Sequence, residues 1–389
     1  MVVLNKRYKI EEEISRGSYG IVYKAYDQKT NTIVAIKVIS DCLLSKFETK
    51  NILKEICILI GLKKTHNNII NIYEYFVYEN SIILVFEYVD HTLCDLIRYP
   101  PKYYNEIYIM QIMFKLLKTF EFLSDNFIIH RDIKPANILV ATNPFNIKLC
   151  DFGLAKYKTL DDNKKPISSH VVTRWYRAPE VILGTESYSY PVDIWALGCI
   201  FAELILALDT SRNGEFKSIF QGKYDFNLSP NPNKSEDDYS NEQMSKIINV
   251  IGYISEEDIN DMNLSEKSKI FLEKINLPSK KNNIRNLFKK LPISTQAIYL
   301  LEKMLVINPK KRIRAFEAIY DEYFDGIRDL KYEYDLLCPN HKHLGILWKQ
   351  LNDDDFIISK FPENFSVSTI KRQNETKLSP NPNKKIKTC

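Results

Sequence analysis

The sequence predicts an α+β protein with two lobes: a small β-rich N-terminal lobe that carries one main helix, and a larger helical C-terminal lobe. The first ninety residues consist of short stretches of strand-like alternation, whereas after Glu106 apolar residues recur mostly at helical spacing. The length of 389 residues is too great for one small core and fits a two-lobed molecule.

The N-terminal lobe, residues 1–89, is expected to contain five strands and one helix. The predicted strands are residues 8–15, 20–27, 32–39, 72–78 and 82–88, each bounded by turn-forming residues. Residues 47–62, between the third and fourth strands, have the apolar spacing of a helix. We therefore expect a sheet with one inserted helix.

The C-terminal lobe, residues 90–324, is expected to be mostly helical. The predicted helices are residues 106–123, 192–208, 242–251, 266–275 and 295–305. Residues 225–240 are polar and rich in turn formers, which predicts a solvent-exposed insertion. The cleft between the two lobes is the expected ligand site.

The net charge is concentrated at the C-terminus. The chain has 54 Lys and Arg against 49 Asp and Glu, a net charge of +5. Residues 366–389 contain six Lys or Arg and one Glu, so this segment accounts for the whole net charge. We expect it to be a basic, disordered tail, and the near-neutral remainder argues against a nucleic-acid partner.

Cysteine usage and hydropathy indicate a cytoplasmic or nuclear protein. The seven cysteines are scattered and form no CxxC pair, as expected for reduced thiols. The longest apolar run, residues 194–208, is broken by Glu203 and is shorter than the ~20 residues that a membrane span needs. The N-terminus lacks the apolar core of a signal peptide, so no membrane partner is expected.

Phosphate-binding chemistry is suggested first by glycines in the string RGSYGIV, residues 16–22. Gly17 and Gly20 would let backbone N–H groups approach a phosphate, although two glycines in a hairpin more often only make a turn. Lys37 follows on the third predicted strand, and Glu55 lies in the predicted helix. A carboxylate within reach of Lys37 would hold its ammonium group in position to bind phosphate oxygens.

The most specific string is HRDIKPANIL, residues 130–139, followed by DFG at residues 151–153. Pro135 prevents plain helix between Asp132 and Asn137. Asn137 and Asp151 offer oxygen ligands without a His or Cys cluster, which suits Mg²⁺ bound through few side chains plus phosphate. Asp132 is then available to orient a hydroxyl group and accept its proton.

These strings, in this order and at these separations, resemble those of a eukaryotic protein kinase from about Tyr8 to Phe324. The resemblance implies the bilobal kinase fold, ATP and Mg²⁺ as cofactors, and phosphoryl transfer to serine or threonine. It implies that Lys37 binds the ATP phosphates and Glu55, that Asp132 is the catalytic base, and that two further residues bind the metal. Those two residues are Asn137 and Asp151.

The same resemblance assigns roles around the acceptor. Lys134 lies where the family places a lysine near the γ-phosphate, and Thr173 should hydrogen-bond toward Asp132 and Lys134. Glu180 should form an ion pair with Arg312.

The residues expected to surround the nucleotide come from both lobes. Ser15 replaces the first glycine of the family's loop. We expect this serine to reduce the affinity for nucleotide at most, without abolishing binding. Phe86 holds the gatekeeper position. The complete expected set, apart from Lys37 and Glu55, is Ile14, Gly17, Gly20, Val22, Ala35, Phe86, Glu87, Val89 and Leu139.

The segment VVTRWYRAPE, residues 171–180, resembles the cyclin-dependent and mitogen-activated kinase group. Arg177 lies where this group forms a pocket for the proline that follows the acceptor residue. Proline has no backbone N–H, so none is left unpaired in the pocket. The resemblance therefore implies a proline-directed kinase whose protein substrates carry Ser-Pro or Thr-Pro sites.

Three interpretations of the subgroup stay open. Cys150, the string TRWYR and residues 242–305 favour a mitogen-activated protein kinase, which we prefer. The glycine loop and VFEY, residues 85–88, favour a cyclin-dependent kinase that needs a cyclin-like subunit. A pseudokinase that only docks partners would require the loss of Lys37, Asp132 or Asp151, and all three are present.

The activation site departs from the T-x-Y string of mitogen-activated kinases. Ser168 can accept phosphate from an upstream activating kinase, but His170 cannot replace the phosphotyrosine. The expected receivers of the phosphate are Lys54, Arg131 and Lys156. Lysine lacks the bidentate fork of arginine, so we expect weaker ordering by phosphate.

The C-terminal extension, residues 325–365, is expected to pack back on the kinase, as in the mitogen-activated group. Its acidic residues lie where that group docks basic peptides, although their spacing fits poorly. These residues are Asp325, Asp329, Glu333 and Asp335.

Overall fold

The computed structural model describes residues 3–328 except residues 18–19, 41–45, 64, 79–80, 143–144, 159–173, 186–188, 213, 215–217, 222–235 and 276–281. Within these residues the chain forms two compact units. The first contains residues 3–61 and 72–88, and the second contains residues 62–71 and 89–328.

The first unit is an antiparallel sheet with one helix. The strands are β1 (Val3–Leu4), β2 (Tyr8–Gly17), β3 (Gly20–Asp27), β4 (Thr32–Ser40), β5 (Ile72–Tyr78) and β6 (Ser81–Glu87), in the spatial order β1-β2-β3-β4-β6-β5. Helix α1 (Lys46–Gly61) follows β4. The five predicted strands and the helix are confirmed to within two residues at each end. Strand β1 was missed because two residues show no periodicity.

Strand β4 lies inside this sheet, between β3 and β6. Val34 and Ile36 are buried in the core cluster of the sheet. Because successive side chains of a strand point to opposite faces, Ala35 and Lys37 lie on the other face. The alternation of β4 therefore separates the residues that stabilise the sheet from those expected to act on a ligand.

The second unit is mainly helical. Its helices are α2 (Leu93–Arg98), α3 (Glu106–Asp125), α4 (Pro179–Ile182), α5 (Pro191–Leu206), α6 (Glu236–Ile251), α7 (Glu256–Asp261), α8 (Glu266–Ile275), α9 (Ile284–Phe288), α10 (Thr295–Met304), α11 (Ala315–Ile319) and α12 (Asp325–Arg328). The five predicted helices correspond to α3, α5, α6, α8 and α10. The other six span only four to six residues each, too few for a helical period to show.

Short strands of the second unit flank the two strings that carry the chemistry. They are β7 (His91–Thr92), β8 (Ile128–Ile129), β9 (Ile138–Thr142), β10 (Phe145–Leu149) and β11 (Lys156–Tyr157). Strands β10, β9 and β7 form one antiparallel sheet, and β11 pairs with β8. The string HRDIKPAN therefore connects β8 to β9, and DFG follows β10.

Helix α5 is buried along its whole length from Val192 to Leu206. Its apolar run is therefore part of the protein core. Within the described ranges, no helix is long and apolar enough to cross a membrane.

The structure corrects the predicted loop at residues 225–240. Helix α6 begins at Glu236, so the last five residues of that segment are helical. Acidic residue types are stabilised at a helix N-terminus, and the run EDD at residues 236–238 is such a start. The earlier part of the segment lies outside the described residues.

The predicted N-terminal lobe, residues 1–89, is also corrected. Residues 62–71 belong to the second unit. The Ile70 N–H donates to the Leu149 carbonyl (3.0 Å), and the Leu149 N–H donates to the Asn68 carbonyl (2.7 Å). These bonds join the segment to β10. Residues 329–389, which include most of the expected extension and the basic tail, lie outside the described residues.

The turn between β2 and β3 yields a stability prediction. Gly20 has a φ of +124°, and a Cβ atom there would lie 2.3 Å from the Val38 carbonyl oxygen. We expect Gly20→Ala to lower the free energy of unfolding by about 1–3 kcal/mol, measured by urea denaturation. Gly17→Ala is the matched control because a Cβ atom there meets nothing within 4 Å. Equal losses in the two variants would contradict this explanation.

Candidate active site

Lys37 and Glu55 form an ion pair in the first unit. Lys37 Nζ lies 2.9 Å from Glu55 Oε1 and 3.2 Å from Oε2, and the two side chains are 12% and 4% exposed. Helix α1 places Glu55 beside the buried Ile56, so the carboxylate is shielded from water. Because buried ion pairs are little screened, Glu55 holds the amino group of Lys37 in a fixed position. Its ammonium group can donate to phosphate oxygens.

Other expected nucleotide-contacting residues share one face of the sheet with Lys37. The strand register pairs Val22 with Lys37 and Ala35 with Phe86. Ala35 and Lys37 are two residues apart on β4, so their side chains point the same way. Val22, Ala35 and Phe86 are all half-buried. An apolar surface therefore lies beside the ammonium group.

The remaining residues of the first unit that are expected to contact the nucleotide differ in position and exposure. Ile14 is the extra residue of a bulge in β2 and is 48% exposed. Gly17 and Gly20 face each other across β2 and β3, and Glu87 ends β6. The structure thus brings the glycines together and leaves Ile14 on the surface.

Val89 and Leu139 lie in the second unit, and both are half-buried. Leu139 is in β9, where the register pairs it with Thr92 of β7.

The carboxylate of Asp132 lies at the centre of a hydrogen-bond cluster in the second unit. Its Oδ2 atom accepts from Lys134 Nζ (2.8 Å) and from Asn137 Nδ2 (2.9 Å). Asn137 Nδ2 also donates to the main-chain oxygen of Asp132 (2.8 Å). Asp132 is 3% exposed, and its buried Oδ1 has no hydrogen-bond partner among the described residues. Such an oxygen is suited to accept a hydroxyl proton.

The end of β10 is joined to the same loop. The Cys150 N–H donates to the main-chain oxygen of Asn137 (2.9 Å), so the residue before Asp151 is fixed beside Asn137. Phe152 is buried, and its ring packs edge-on against the His130 ring at a centroid distance of 4.8 Å. These contacts bring the two strings together in space.

The donor set of Asn137 and Asp151 fits a magnesium ion. The Asn137 amide nitrogen is turned toward Asp132, which leaves the carbonyl oxygen of that amide as the atom suited to a cation. Mg²⁺ is usually bound by one or two carboxylates together with substrate phosphates. Among the described residues, no group of three His, Cys, Asp or Glu side chains could hold a metal alone. Two side-chain oxygens whose coordination is completed by phosphate oxygens suit Mg²⁺ better than they suit a metal that is bound by protein ligands alone.

Comparison with known proteins identifies the family of this chain. Residues 8–324 match the protein kinase domain family. The chain belongs to the protein kinase family. The fold class expected from the sequence, with a sheet-bearing N-terminal unit and a helical C-terminal unit, is thereby confirmed.

The relatives of this kinase include several mitogen-activated protein kinases. Mitogen-activated protein kinase 15 of Xenopus laevis is 33% identical over 86% of this chain and 54% of the relative. Extracellular signal-regulated kinase 2 of Dictyostelium discoideum is 34% identical over 81% and 78%, and mitogen-activated protein kinase 7 of Arabidopsis thaliana is 32% identical over 84% and 81%. This chain thus spans about half of the Xenopus relative. It is a serine/threonine kinase of the mitogen-activated type.

Asp193 of α5 positions the loop that carries the string HRDIKPAN, residues 130–137, and sequence reasoning missed it. Its Oδ2 accepts the His130 N–H and its Oδ1 accepts the Arg131 N–H, both at 2.8 Å. Arg131 has a left-handed backbone with a φ of +71°, which these bonds hold in place. Burial raises the pKa of Asp193 to about 6, although the two backbone bonds act to lower it. The available signal was one of only two acidic residues in a largely apolar helix, the other being Glu203.

Glu180 and Arg312 form the ion pair that the resemblance implied. The two guanidinium nitrogens lie 2.8 Å from the two carboxylate oxygens, and the side chains are 2% and 0% exposed. Arg312 also donates to the main-chain oxygen of Pro191 (2.6 Å) and lies over the Trp195 ring. The pair therefore fixes α4 against the start of α5.

A second missed acidic residue lies further along α5. The Tyr176 hydroxyl donates to Glu203 Oε2 (3.0 Å), next to Arg177 of the expected proline pocket. Burial raises the pKa of Glu203 to about 8. This contact anchors the segment that carries Arg177 to the core helix.

Two expected site residues cannot be placed against this geometry. Thr173 and Ser168 lie outside the described residues, as does His170. Their assignments stay predictions.

The buried Glu180–Arg312 pair yields a stability prediction. We expect Glu180→Ala to lower the free energy of unfolding by about 3–5 kcal/mol, because it leaves a buried guanidinium without its anion. Urea denaturation measures the loss.

The matched control is Glu302→Ala. Glu302 binds Arg285 with two bonds of 2.7 Å, but Arg285 is 60% exposed. The expected loss is below about 1 kcal/mol. A loss in Glu302→Ala as large as in Glu180→Ala would show that burial does not set the difference.

Proposed function

We propose that this kinase transfers the γ-phosphoryl group of ATP to serine or threonine hydroxyls of proteins. The observation that carries the proposal is the state of Asp132. Lys134 and Asn137 hold one carboxylate oxygen, and the other is buried without a partner among the described residues. A buried oxygen of this kind is costly unless a ligand completes its hydrogen bonding. A substrate hydroxyl group would do so.

Each unit supplies part of the chemistry in this proposal. Lys37, held by Glu55, would bind phosphate oxygens of ATP, and the apolar face with Val22 and Ala35 would pack against adenine. Asn137 and Asp151 would hold a magnesium ion, which when bound neutralises phosphate charge. The main contributions to rate would be positioning and charge neutralisation.

Asp132 would orient the acceptor and take its proton. The hydroxyl oxygen forms a bond to the γ-phosphorus while the bond from that phosphorus to the β–γ bridging oxygen breaks, and ADP leaves. The hydroxyl proton passes to the Asp132 carboxylate. Lys134, whose Nζ lies 2.8 Å from Asp132 Oδ2, would lower the negative charge near the transferred group.

Removing the assigned base or phosphate ligand tests this mechanism. We expect Asp132→Asn and Lys37→Met each to lower kcat at least about 100-fold in a radiolabelled ATP assay. Circular dichroism and melting curves should show that both variants remain folded. Lys9→Met, which removes another strand lysine of the same sheet, should retain activity. Full activity in Lys37→Met would contradict the assigned phosphate contact.

We further propose that the kinase is proline-directed. The support is the position of Arg177 in the string TRWYRAPE and the likeness to mitogen-activated kinases.

Ser168 is proposed as the phosphate acceptor for an upstream kinase, which mass spectrometry of enzyme isolated from cells can check.

A pair of peptides tests the specificity. The peptides are identical except that proline or alanine follows the serine. We expect kcat/KM to be at least about tenfold higher for the Ser-Pro peptide, equivalent to about 1.4 kcal/mol of differential transition-state binding. Asp132→Asn enzyme controls for a contaminating kinase. Equal values for the two peptides would exclude proline direction.

A further inference from the structure

Lys24, which has no role in the proposed mechanism, lies on the face of the sheet that carries the residues expected to contact the nucleotide. The register of the first unit pairs Lys24 of β3 with Ala35 of β4, and Ala35 with Phe86 of β6. Side chains that lie opposite each other in an antiparallel pair point to the same face of the sheet. Lys24 is therefore the first member of a row that crosses three strands, on the same face as Lys37.

The ammonium group of Lys24 contacts an aromatic ring. Its Nζ atom lies 5.3 Å from the centroid of the Tyr88 ring, which is within the range of a cation–π interaction. The same atom lies 3.5 Å from Glu12 Oε1 on the neighbouring strand β2. The Glu12 side chain is 65% exposed, so this ion pair is screened by water and weak. Tyr88 is half-buried and is therefore the better shielded partner of the ammonium group.

Tyr88 occupies a position in the chain that matters for nucleotide binding. It follows Glu87, the last residue of β6, and precedes Val89, and both of these neighbours belong to the set expected to surround the nucleotide. The ladder between β4 and β6 ends at the pair of Val34 and Glu87, so Tyr88 lies just beyond the last paired residues. The contact between its ring and Lys24 therefore ties the chain that leaves β6 to strand β3.

We propose that Lys24 is a positioning residue for the adenine of ATP. Its ammonium group holds the Tyr88 ring, and the ring fixes the main chain between Glu87 and Val89 in the conformation that receives the base. A site whose geometry is fixed before the ligand arrives binds more tightly, because less conformational entropy is lost on binding. The inference rests on the proposed use of ATP, and it adds a residue that lies outside the strings from which that use was predicted.

Steady-state kinetics with ATP and Mg²⁺ test the proposal. We expect Lys24→Met to raise KM for ATP about two- to fivefold, the factor that the loss of an exposed cation–π interaction predicts. The kcat at saturating ATP and the melting temperature should stay at the wild-type values, because only ground-state binding is affected. Lys24→Arg keeps a cation over the ring and should retain the wild-type KM. An unchanged KM in Lys24→Met, or a fall in kcat alone, would overturn the proposal.

Lys29→Met is the charge-matched control. Lys29 is exposed in the turn between β3 and β4, and this variant removes the same charge from the same unit. It should leave KM for ATP unchanged. Equal increases of KM in Lys24→Met and Lys29→Met would mean that general attraction of the negatively charged nucleotide sets the affinity, and that the contact with Tyr88 does not. That result would contradict the positioning role.

Adenosine, which carries no phosphate, separates an effect on the base from an attraction to the phosphates. As a competitive inhibitor against ATP, it should weaken in Lys24→Met by the same factor as ATP does. A loss for ATP alone would assign Lys24 to the phosphates and refute the proposal, as would a wild-type enzyme that adenosine does not inhibit. Failure of the wild type to transfer phosphate from ATP would instead contradict the proposed function itself.

A double-mutant cycle tests whether Lys24 acts through Tyr88. Tyr88→Phe keeps an aromatic ring and should retain the wild-type KM, whereas Tyr88→Leu should raise KM at least as much as Lys24→Met does. The two changes combined, Lys24→Met with Tyr88→Leu, should raise KM no further than Tyr88→Leu alone, because both remove the same contact. If the two effects multiply, Lys24 acts independently of the ring and the proposal is wrong.

Discussion

The buried carboxylate of Asp132 is the constraint on which the site of the second unit depends. A charge taken out of water is tolerated only when hydrogen bonds and opposite charge compensate for its lost hydration. Lys134 and Asn137 provide that compensation at one oxygen. Asp132 in turn fixes the positions of Lys134 and Asn137, because both side chains donate to its Oδ2 atom. A single electrostatic requirement thereby fixes three side chains that the proposed reaction uses.

Helix α5 supports this arrangement from the core. It is apolar and buried, yet it carries two acidic residues that each bind a different segment of the site. Asp193 holds the loop at residues 130–137 through two backbone N–H groups, and Glu203 holds Tyr176. The start of the helix also receives Arg312, which binds Glu180. One rigid element therefore positions three separate stretches of chain, and burial strengthens each contact because water cannot compete for the polar groups.

The sequence alone could predict the groups that act chemically, because their identity and spacing are visible in short strings. Lys37, Asp132, Asn137 and Asp151 are of this kind. It marks Asp193 only as an acidic residue in a largely apolar helix and could not predict its role, since its partners are more than sixty positions away. The prediction that residues 62–71 belong to the N-terminal lobe is wrong for the same reason: the bonds that join this segment to Leu149 are long-range. Two-residue strands such as β8 and β11 are too short to show a period.

Charge is a further case in which composition and structure give different information. Residues 1–365 sum to zero, which by itself argues against any strongly charged surface. Electrostatic interactions in water at physiological ionic strength are, however, screened beyond about 8 Å. An approaching partner therefore responds to the charges within that distance and not to the sum over the chain. Folding also pairs opposite charges that the sum conceals, as in Lys37 with Glu55 and Arg312 with Glu180, so the sum over the chain does not describe the charge near any one site.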